Sequence, residues 1–356
     1  MSRSPSTRYL VVCTLRIGDV LLTTPVIRAL RRHEPDARID VLVLSGMAGI
    51  LEGNPDVDRV LVTPHRAGLF ARLREAAALW RRYDVALTTV SSDRARWYCF
   101  IAGSTTAGLY NPHSAWLSVR LLQRRILFDD LHTHSVTMGL KVLDLLGIPR
   151  QYRVVPPTAG GTLPDSVAGR PYAVLHPYPK FRYKMWPQPH WAALARSLQQ
   201  MGYVVALSGG PDPEEICYVG EIAGTCDAVN LCGTLSLAQT ADLIAGAALF
   251  VGPDTGVTHL AAALDIPTLA LFGPSNPVKW GPWPATYAQA ASPWDMKGSR
   301  QVGNVCLLQG EGDCVPCRQE GCDRHQESHS RCLDELALSR VLQSVRLLLP
   351  SGPDRP

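Results

Sequence analysis

Short apolar runs alternate with helical stretches twice along this chain, and a proline- and glycine-rich stretch separates the two series. Residues 148–171 hold Pro149, Pro156, Pro157, Gly160, Gly161, Pro164, Gly169 and Pro171, a composition that interrupts regular structure. Before it, residues 9–14, 39–44, 60–62 and 85–90 read as buried strands. An amphipathic helix over residues 18–33 carries Val20, Leu21, Val26, Ile27 and Leu30 on one face, and a long helical region over 114–147 closes the half. After it, strands are expected at 172–176, 203–207, 228–231, 248–251 and 268–272, with helices at 191–201, 214–224, 237–246 and 256–264. Near-continuous apolar strands separated by helices predict parallel sheets covered on both faces. The expected class is α/β, with two doubly wound parallel-sheet domains facing a cleft. Open parallel sheets bind ligands at the carboxyl ends of their strands. The expected spans are an N-terminal domain over 1–150, a linker over 151–170, a C-terminal domain over 171–332 and a tail over 333–356. The tail's helix, residues 333–349, has no strand after it and is expected to pack back on the first domain.

With 356 residues, the chain has room for two cores, and 46% hydrophobic against 19% charged residues excludes a disordered polymer. No apolar run reaches the roughly 18 residues of a membrane span. The N-terminal apolar run stops at Arg16 without a cleavage-site pattern, so the expected location is the cytoplasm. The net charge of +4 hides an asymmetry: residues 1–150 carry 20 Lys+Arg against 13 Asp+Glu, and the remainder 15 against 18. A basic first half suits an anionic partner, although scattered arginines also make an ordinary solvated surface.

Four segments carry the chemistry. Leu15-Arg16-Ile17-Gly18-Asp19-Val20 leaves the first strand, where Asp19 either caps a helix or faces a ligand. His176-Pro177-Tyr178-Pro179-Lys180-Phe181-Arg182-Tyr183-Lys184-Met185-Trp186-Pro187 sets three cations after the first strand of the second half. Ser208-Gly209-Gly210-Pro211-Asp212-Pro213-Glu214-Glu215 pairs glycines, which permit close backbone approach, with acids able to accept hydrogen bonds from ribose hydroxyls. In Gly252-Pro253-Asp254-Thr255-Gly256-Val257-Thr258-His259, a capped helix start offers amides to phosphate and His259 follows one turn in. Neither a Gly-x-Gly-x-x-Gly fingerprint nor a P-loop occurs at these turns.

Together these segments resemble glycosyltransferase family nine, the lipopolysaccharide heptosyltransferases. The likeness rests on Ile17-Gly18-Asp19-Val20-Leu21-Leu22-Thr23-Thr24-Pro25, on Tyr183-Lys184-Met185-Trp186-Pro187 and on Asp254 through Ala261. It spans roughly residues 8–290. The resemblance implies the GT-B fold, with acceptor on the N-terminal domain and nucleotide sugar on the C-terminal one. It implies inversion at the anomeric carbon, with no cofactor and no metal in the reaction. Asp19 is then the general base; Lys184 and the helix start at Thr255–Gly256 meet the diphosphate; Asp254 holds sugar hydroxyls, with His259 near the phosphates. Thr234 borders the base, Gly209 lies against the nucleotide, and Glu214 or Glu215 meets the ribose. The implied donor is ADP-heptose. The implied acceptor is an anionic glycolipid, the lipid A–Kdo part of the lipopolysaccharide core, reached by peripheral contact with the cytoplasmic face of the inner membrane. Pro179, Lys180, Phe181 and Arg182 depart from the small hydroxyl residues common before the lysine in that family.

Two rivals share the fold class. A non-catalytic nucleotide-binding protein has no use for Asp19, and a nucleotide-sugar epimerase needs paired acid and base groups that the segments lack. A nucleic-acid partner is not expected, because no recognition motif accompanies the arginines. Asp56-Val57-Asp58 follows Asn54-Pro55 and reads as loop chemistry. Arg120, Arg124 and Arg125, placed on the long helical region, are the expected face for acceptor steering. Cys306, Cys314, Cys317, Cys322 and Cys332 cluster before the final helix. Reduced thiols in a loop are the leading reading, with a structural metal on Cys314, Cys317, Cys322 and Cys332 as the alternative.

Overall fold

The computed structural model describes residues 6–161 and 163–349; the remaining residues of the expected spans 1–150, 151–170 and 333–356 lie outside the described set. The chain divides into two compact units. The first ends at Pro157 and takes in Ala288–Ser292. The second holds Thr158–Tyr287 and the chain from Pro293 onward.

The first unit runs β1 (Arg8–Cys13), α1 (Ile17–Leu21), α2 (Thr24–His33), β2 (Arg38–Leu44), β3 (Arg59–Thr63), α3 (Leu69–Leu79), β4 (Tyr83–Thr88), α4 (Asp93–Ala102), β5 (Gly103–Tyr110), α5 (Trp116–Arg120), β6 (Arg124–Leu127) and α6 (Ser135–Asp144). Its six strands are all parallel, in the order β3-β2-β1-β4-β5-β6. Strand order therefore reverses between β1 and β4, and the turn into α1 opens at that point. Helices α2 and α6 pack on each other, while α4 touches both α3 and α5.

The expected helix over 18–33 is two helices. Pro25 has no N–H to offer the carbonyl of Leu21, and Thr24 Oγ1 donates to that carbonyl at 2.7 Å instead. Thr23 Oγ1 also donates to the carbonyl of Asp19 at 2.8 Å, which closes α1 after one turn. The expected helical region over 114–147 is corrected too. It contains α5, the edge strand β6 and α6, so Arg120 ends a short helix while Arg124 and Arg125 open a strand. Strand β5 beside it escaped the sequence because it is Gly-Ser-Thr-Thr-Ala-Gly-Leu-Tyr. Its small residues are a packing requirement: a Cβ on Gly103 would stand 2.6 Å from Ala86 Cβ, and one on Gly108 2.5 Å from Thr88 Cγ2.

The second unit runs β7 (Tyr172–Leu175), α7 (Gln188–Gln200), β8 (Val204–Leu207), α8 (Pro213–Ala223), β9 (Val229–Asn230), α9 (Leu237–Ala245), β10 (Leu249–Pro253), α10 (Gly256–Ala263), β11 (Thr268–Phe272), α11 (Pro277–Trp280), β12 (Arg300–Val302), β13 (Val305–Gln309), α12 (Arg331–Asp334) and α13 (Leu338–Leu348). The sheet order is β12-β13-β11-β10-β7-β8-β9, parallel except for β12 against β13. Here the order reverses between β7 and β10. Strands β12 and β13 were not foreseen, and Cys306 lies within β13 beside Leu269 rather than in a loop.

The final helix, α13, packs on α7, β11 and β13, and Val341 and Val345 join the buried cluster of Trp186, Trp191 and Leu308 in the second unit.

Candidate active site

Two loops leave the second sheet at its reversal point, one after β7 and one after β10, and each delivers a charge. Lys184 ends the 3-10 turn Arg182–Lys184, and its Nζ donates to Asp254 Oδ2 at 2.5 Å. The pair is largely withdrawn from water, with side-chain exposures of 18% for Lys184 and 8% for Asp254. Burial alone would raise the Asp254 carboxyl pKa. The adjacent Lys184 charge, with hydrogen bonds from Lys184 and Ser275, outweighs it and holds the group below its usual value.

The lysine lies beside two aromatic rings. Phe181 and Tyr183 stack with centroids 5.4 Å apart, and Nζ lies 5.9 Å from each ring. Below the turn, Trp186 is fully buried, crosses Trp191 edge to face and donates from Nε1 to the carbonyl of Leu336 at 2.8 Å. Ser330 Oγ donates to the carbonyl of Tyr183 at 2.6 Å. The lysine loop is thus anchored on the segment around α12, a connection across about 150 residues that no local motif signals.

Asp254 stands between β10 and α10. Thr255 caps α10, its Oγ1 accepting from the Thr258 amide at 3.3 Å. The amides of Gly256 and Val257 open the helix and have no partner within it, the arrangement that favours an anion. Gly252 must be glycine, since a Cβ would stand 2.8 Å from both the Phe250 ring and Thr258 Oγ1. His259, on the first turn of α10, is buried, and its Nδ1 has no hydrogen-bond partner. Burial, against the opposing pull of Asp254, lowers its pKa to about 4, so the ring is neutral at pH 7. His176, at the end of β7, is likewise buried and lowered to about 4; its Nδ1 lies 3.2 Å from Ser208 Oγ.

The turn after β8 separates the two acids that sequence left equivalent. Glu214 is exposed, and Tyr178 Oη donates to its Oε2 at 3.4 Å. Glu215 folds back under the glycines, where burial raises its pKa against a hydrogen bond from the Gly210 amide. A Cβ on Gly209 would stand 2.4 Å from Cys232 Sγ and 2.9 Å from Glu215 Oε1. Gly209 therefore has no room for a side chain, and Glu215 supports the turn while Glu214 faces outward. Thr234 is exposed after Gly233, which takes a left-handed φ of 73°.

Asp19 belongs to the first unit. It lies on α1 at the carboxyl end of β1, half-buried, with Oδ2 accepting from the Arg16 amide at 3.1 Å. Capping, one of the two readings of this residue, is thus real, and one carboxylate oxygen performs it. The Asp56 and Asp58 pair meets α2: Arg28 lies 3.5 Å from Asp56 and Arg31 2.6 Å from Asp58. Both carboxylates serve the fold. Cys314 and Cys322 are exposed and Cys317 and Cys332 partly buried, all as free thiols. Among the described residues, no group of three or more His, Cys, Asp or Glu is arranged to hold a metal.

The family model for glycosyltransferase family 9 (heptosyltransferase) matches residues 72–309. The chain belongs to glycosyltransferase family 9. It is 30% identical to lipopolysaccharide heptosyltransferase 1 of Pseudomonas aeruginosa over 360 residues, covering 96% of this chain and 94% of that one. It is also 30% identical to lipopolysaccharide heptosyltransferase 3 of Escherichia coli over 297 residues, covering 75% and 83%. Among solved structures, the E. coli heptosyltransferase WaaC with ADP superposes with a TM-score of 0.73 at 22% identity, over 96% of this chain and 99% of that chain. The family 9 glycosyl transferase of Veillonella parvula gives 0.73 at 19% identity, over 96% and 97%. The fold is GT-B and the protein is a glycosyltransferase.

Removing Lys184 alone should strand a buried carboxylate. Lys184→Ala is expected to cost about 3–5 kcal/mol in denaturant unfolding, and Lys184→Ala with Asp254→Ala should recover most of it. A single-variant cost below about 1 kcal/mol contradicts a buried pair.

The two histidines predict a pH dependence. Folded-state pKa values near 4 against an ordinary 6.5 mean that the unfolded chain binds more protons between those limits. Stability from these groups is complete above pH 6.5 and falls as pH drops toward 4, by up to ~1.4 kcal/mol per pH unit per histidine. His176→Asn and His259→Asn should each flatten the slope measured by denaturation at pH 6.5, 5.5 and 4.5. Unchanged slopes in both contradict buried neutral rings.

Proposed function

We propose that this family 9 enzyme transfers heptose from ADP-heptose to an anionic lipopolysaccharide-core acceptor of the lipid A–Kdo type, inverting the anomeric carbon without a metal. The observation that carries the reading is the buried Lys184–Asp254 pair beside a neutral His259 at the start of α10. A diphosphate leaving group needs positive charge and amide donors, and this corner of the second unit offers both.

In this reading the acceptor hydroxyl oxygen attacks the anomeric carbon while Asp19 takes its proton. The bond from that carbon to the diphosphate oxygen breaks, and ADP leaves with the electron pair. Lys184 and the amides of Gly256 and Val257 stabilise the charge that develops on it. Asp254 accepts from sugar hydroxyls, and the unpartnered Nδ1 of His259 turns to the phosphates. Gly209, Glu214 and Thr234 line the nucleoside. Glu214 takes the ribose because it is the exposed member of the acidic pair, Glu215 being spent on the Gly210 turn. The N-terminal unit, nominally residues 1–150, binds the acceptor, and the unit after the 151–170 linker binds the donor. The location proposed is cytoplasmic, in peripheral contact with the inner membrane and without nucleic acid.

A single displacement needs one base, worth roughly 100- to 10,000-fold. Asp19→Asn should lower transfer by that order with ADP-heptose while leaving ADP affinity near wild type by calorimetry. EDTA should leave wild-type transfer intact. Near-normal turnover in Asp19→Asn removes it from the mechanism, and metal-reversible abolition by EDTA removes the protein-only account of the leaving group.

A further inference from the structure

Helix α3 is poorly covered. Of Leu69–Leu79 only Leu79 is buried, while Leu69 is 69%, Phe70 87% and Leu73 57% exposed, and Trp80 just beyond is 57% exposed. Residues 64–82 also carry five arginines against one acid, Glu75. That acid is turned away from solvent: its Oε2 accepts from Tyr98 Oη at 2.7 Å and from Thr63 Oγ1 at 3.3 Å. The outer surface is left with apolar side chains and arginines.

The pattern continues onto the neighbouring helices. Arg81 lies over Trp80 at 5.6 Å and over Phe100 of α4 at 5.4 Å. Phe100 meets exposed Trp97 edge to face at 6.3 Å. On α5, Trp116 and Leu117 are exposed and Arg120 lies 4.7 Å over the Trp116 ring. Seven of the thirteen exposed large hydrophobics among the described residues fall on this α3–α4–α5 side, including Trp80 at the end of α3. They are therefore clustered, and clustered apolar surface marks an interaction site. Beside Trp80, at the C-terminal end of α3, Ala78, Leu79 and Arg82 wall a recess of about 450 Å³ whose lining includes Arg8, Arg38 and Arg59; Asp40 and Asp84 offset part of that charge.

We propose that the α3–α4–α5 face of the first unit docks on a lipid bilayer bearing anionic headgroups. Trp, Phe and Leu interleaved with Arg is the composition that inserts rings at the headgroup level and neutralises phosphates. A second copy of this chain fits less well, because a two-fold contact would set the same arginines against one another. The inference rests on the reading above only for why a membrane lies close to the acceptor, and it deepens that reading by naming the surface.

The test is co-sedimentation of the full chain with vesicles of phosphatidylcholine containing 30 mol% phosphatidylglycerol, beside pure phosphatidylcholine vesicles. Wild type should bind the anionic vesicles and release them as salt rises. Phe70→Ser with Leu73→Ser, and Arg72→Glu with Arg74→Glu, should each weaken binding by about tenfold or more, with melting temperatures near wild type because these side chains are exposed. Transfer to a detergent-dispersed acceptor should be unchanged in both pairs. Absence of anionic-vesicle binding by wild type, equal binding by the variants, or a concentration-dependent dimer that Phe70→Ser dissociates would each overturn the proposal. If vesicles bind as expected but no acceptor is glycosylated, the catalytic reading fails and the docking surface stands.

Discussion

The buried ion pair between Lys184 and Asp254 is the contact on which the second unit is organised. Removing both charges from water is costly, and their attraction repays it only where geometry is enforced. Enforcement comes from both sides. Asp254 is set by β10, by the capped start of α10 and by a glycine, Gly252, that leaves room for Thr258. Lys184 is set by a 3-10 turn, a pair of stacked rings and the tie from Trp186 to Leu336. The final helix and the cysteine-bearing segment before it thus act as a floor beneath the lysine loop. The outcome is a cation, a helix start and an uncharged imidazole at one corner, the set proposed above to receive the departing diphosphate.

Topology explains why the corner lies where it does. The second sheet reverses its strand order between β7 and β10, and the first between β1 and β4. Loops diverge at such points and leave space at the carboxyl ends of the strands. Lys184 follows β7, Asp254 follows β10 and Asp19 follows β1. One architectural rule, applied twice, positions the residues of both units. The proposed base and the groups proposed for the leaving phosphate arise from separate units, so each can be altered without unfolding the other's core.

Much of this was legible in the sequence because it is local. Alternating apolar runs gave most strands of both sheets, and the residues following β1, β7 and β10 carried the signatures of the family. What escaped was set by contacts distant in sequence. Strand β5 has small residues because Ala86 and Thr88 crowd it, a fact invisible along Gly103–Tyr110 itself. The break between α1 and α2 depends on Thr24 supplying the donor that Pro25 lacks. Glu214 and Glu215 are equivalent in pattern and differ only in burial. The partners of the final helix in the second unit, around Trp186 and Trp191, lie about 150 residues earlier, where no local pattern points to them. The arginines expected to steer an acceptor turned out to lie on a short helix and an edge strand, while the exposed apolar side chains that accompany the basic surface sit on three helices that only folding brings side by side.

The proposed mechanism, in which the protein supplies the cation and one carboxylate the base, requires a single in-line displacement, and the stereochemistry at the anomeric carbon reports that directly. The decisive measurement is the anomeric configuration of the heptose in the product, read by proton and carbon NMR after transfer from ADP-heptose of defined configuration. Inversion is the result that the roles proposed for Asp19, Lys184 and Asp254 predict. Retention would require a covalent intermediate or front-face attack, neither of which the proposed single-base mechanism provides, and would contradict the account.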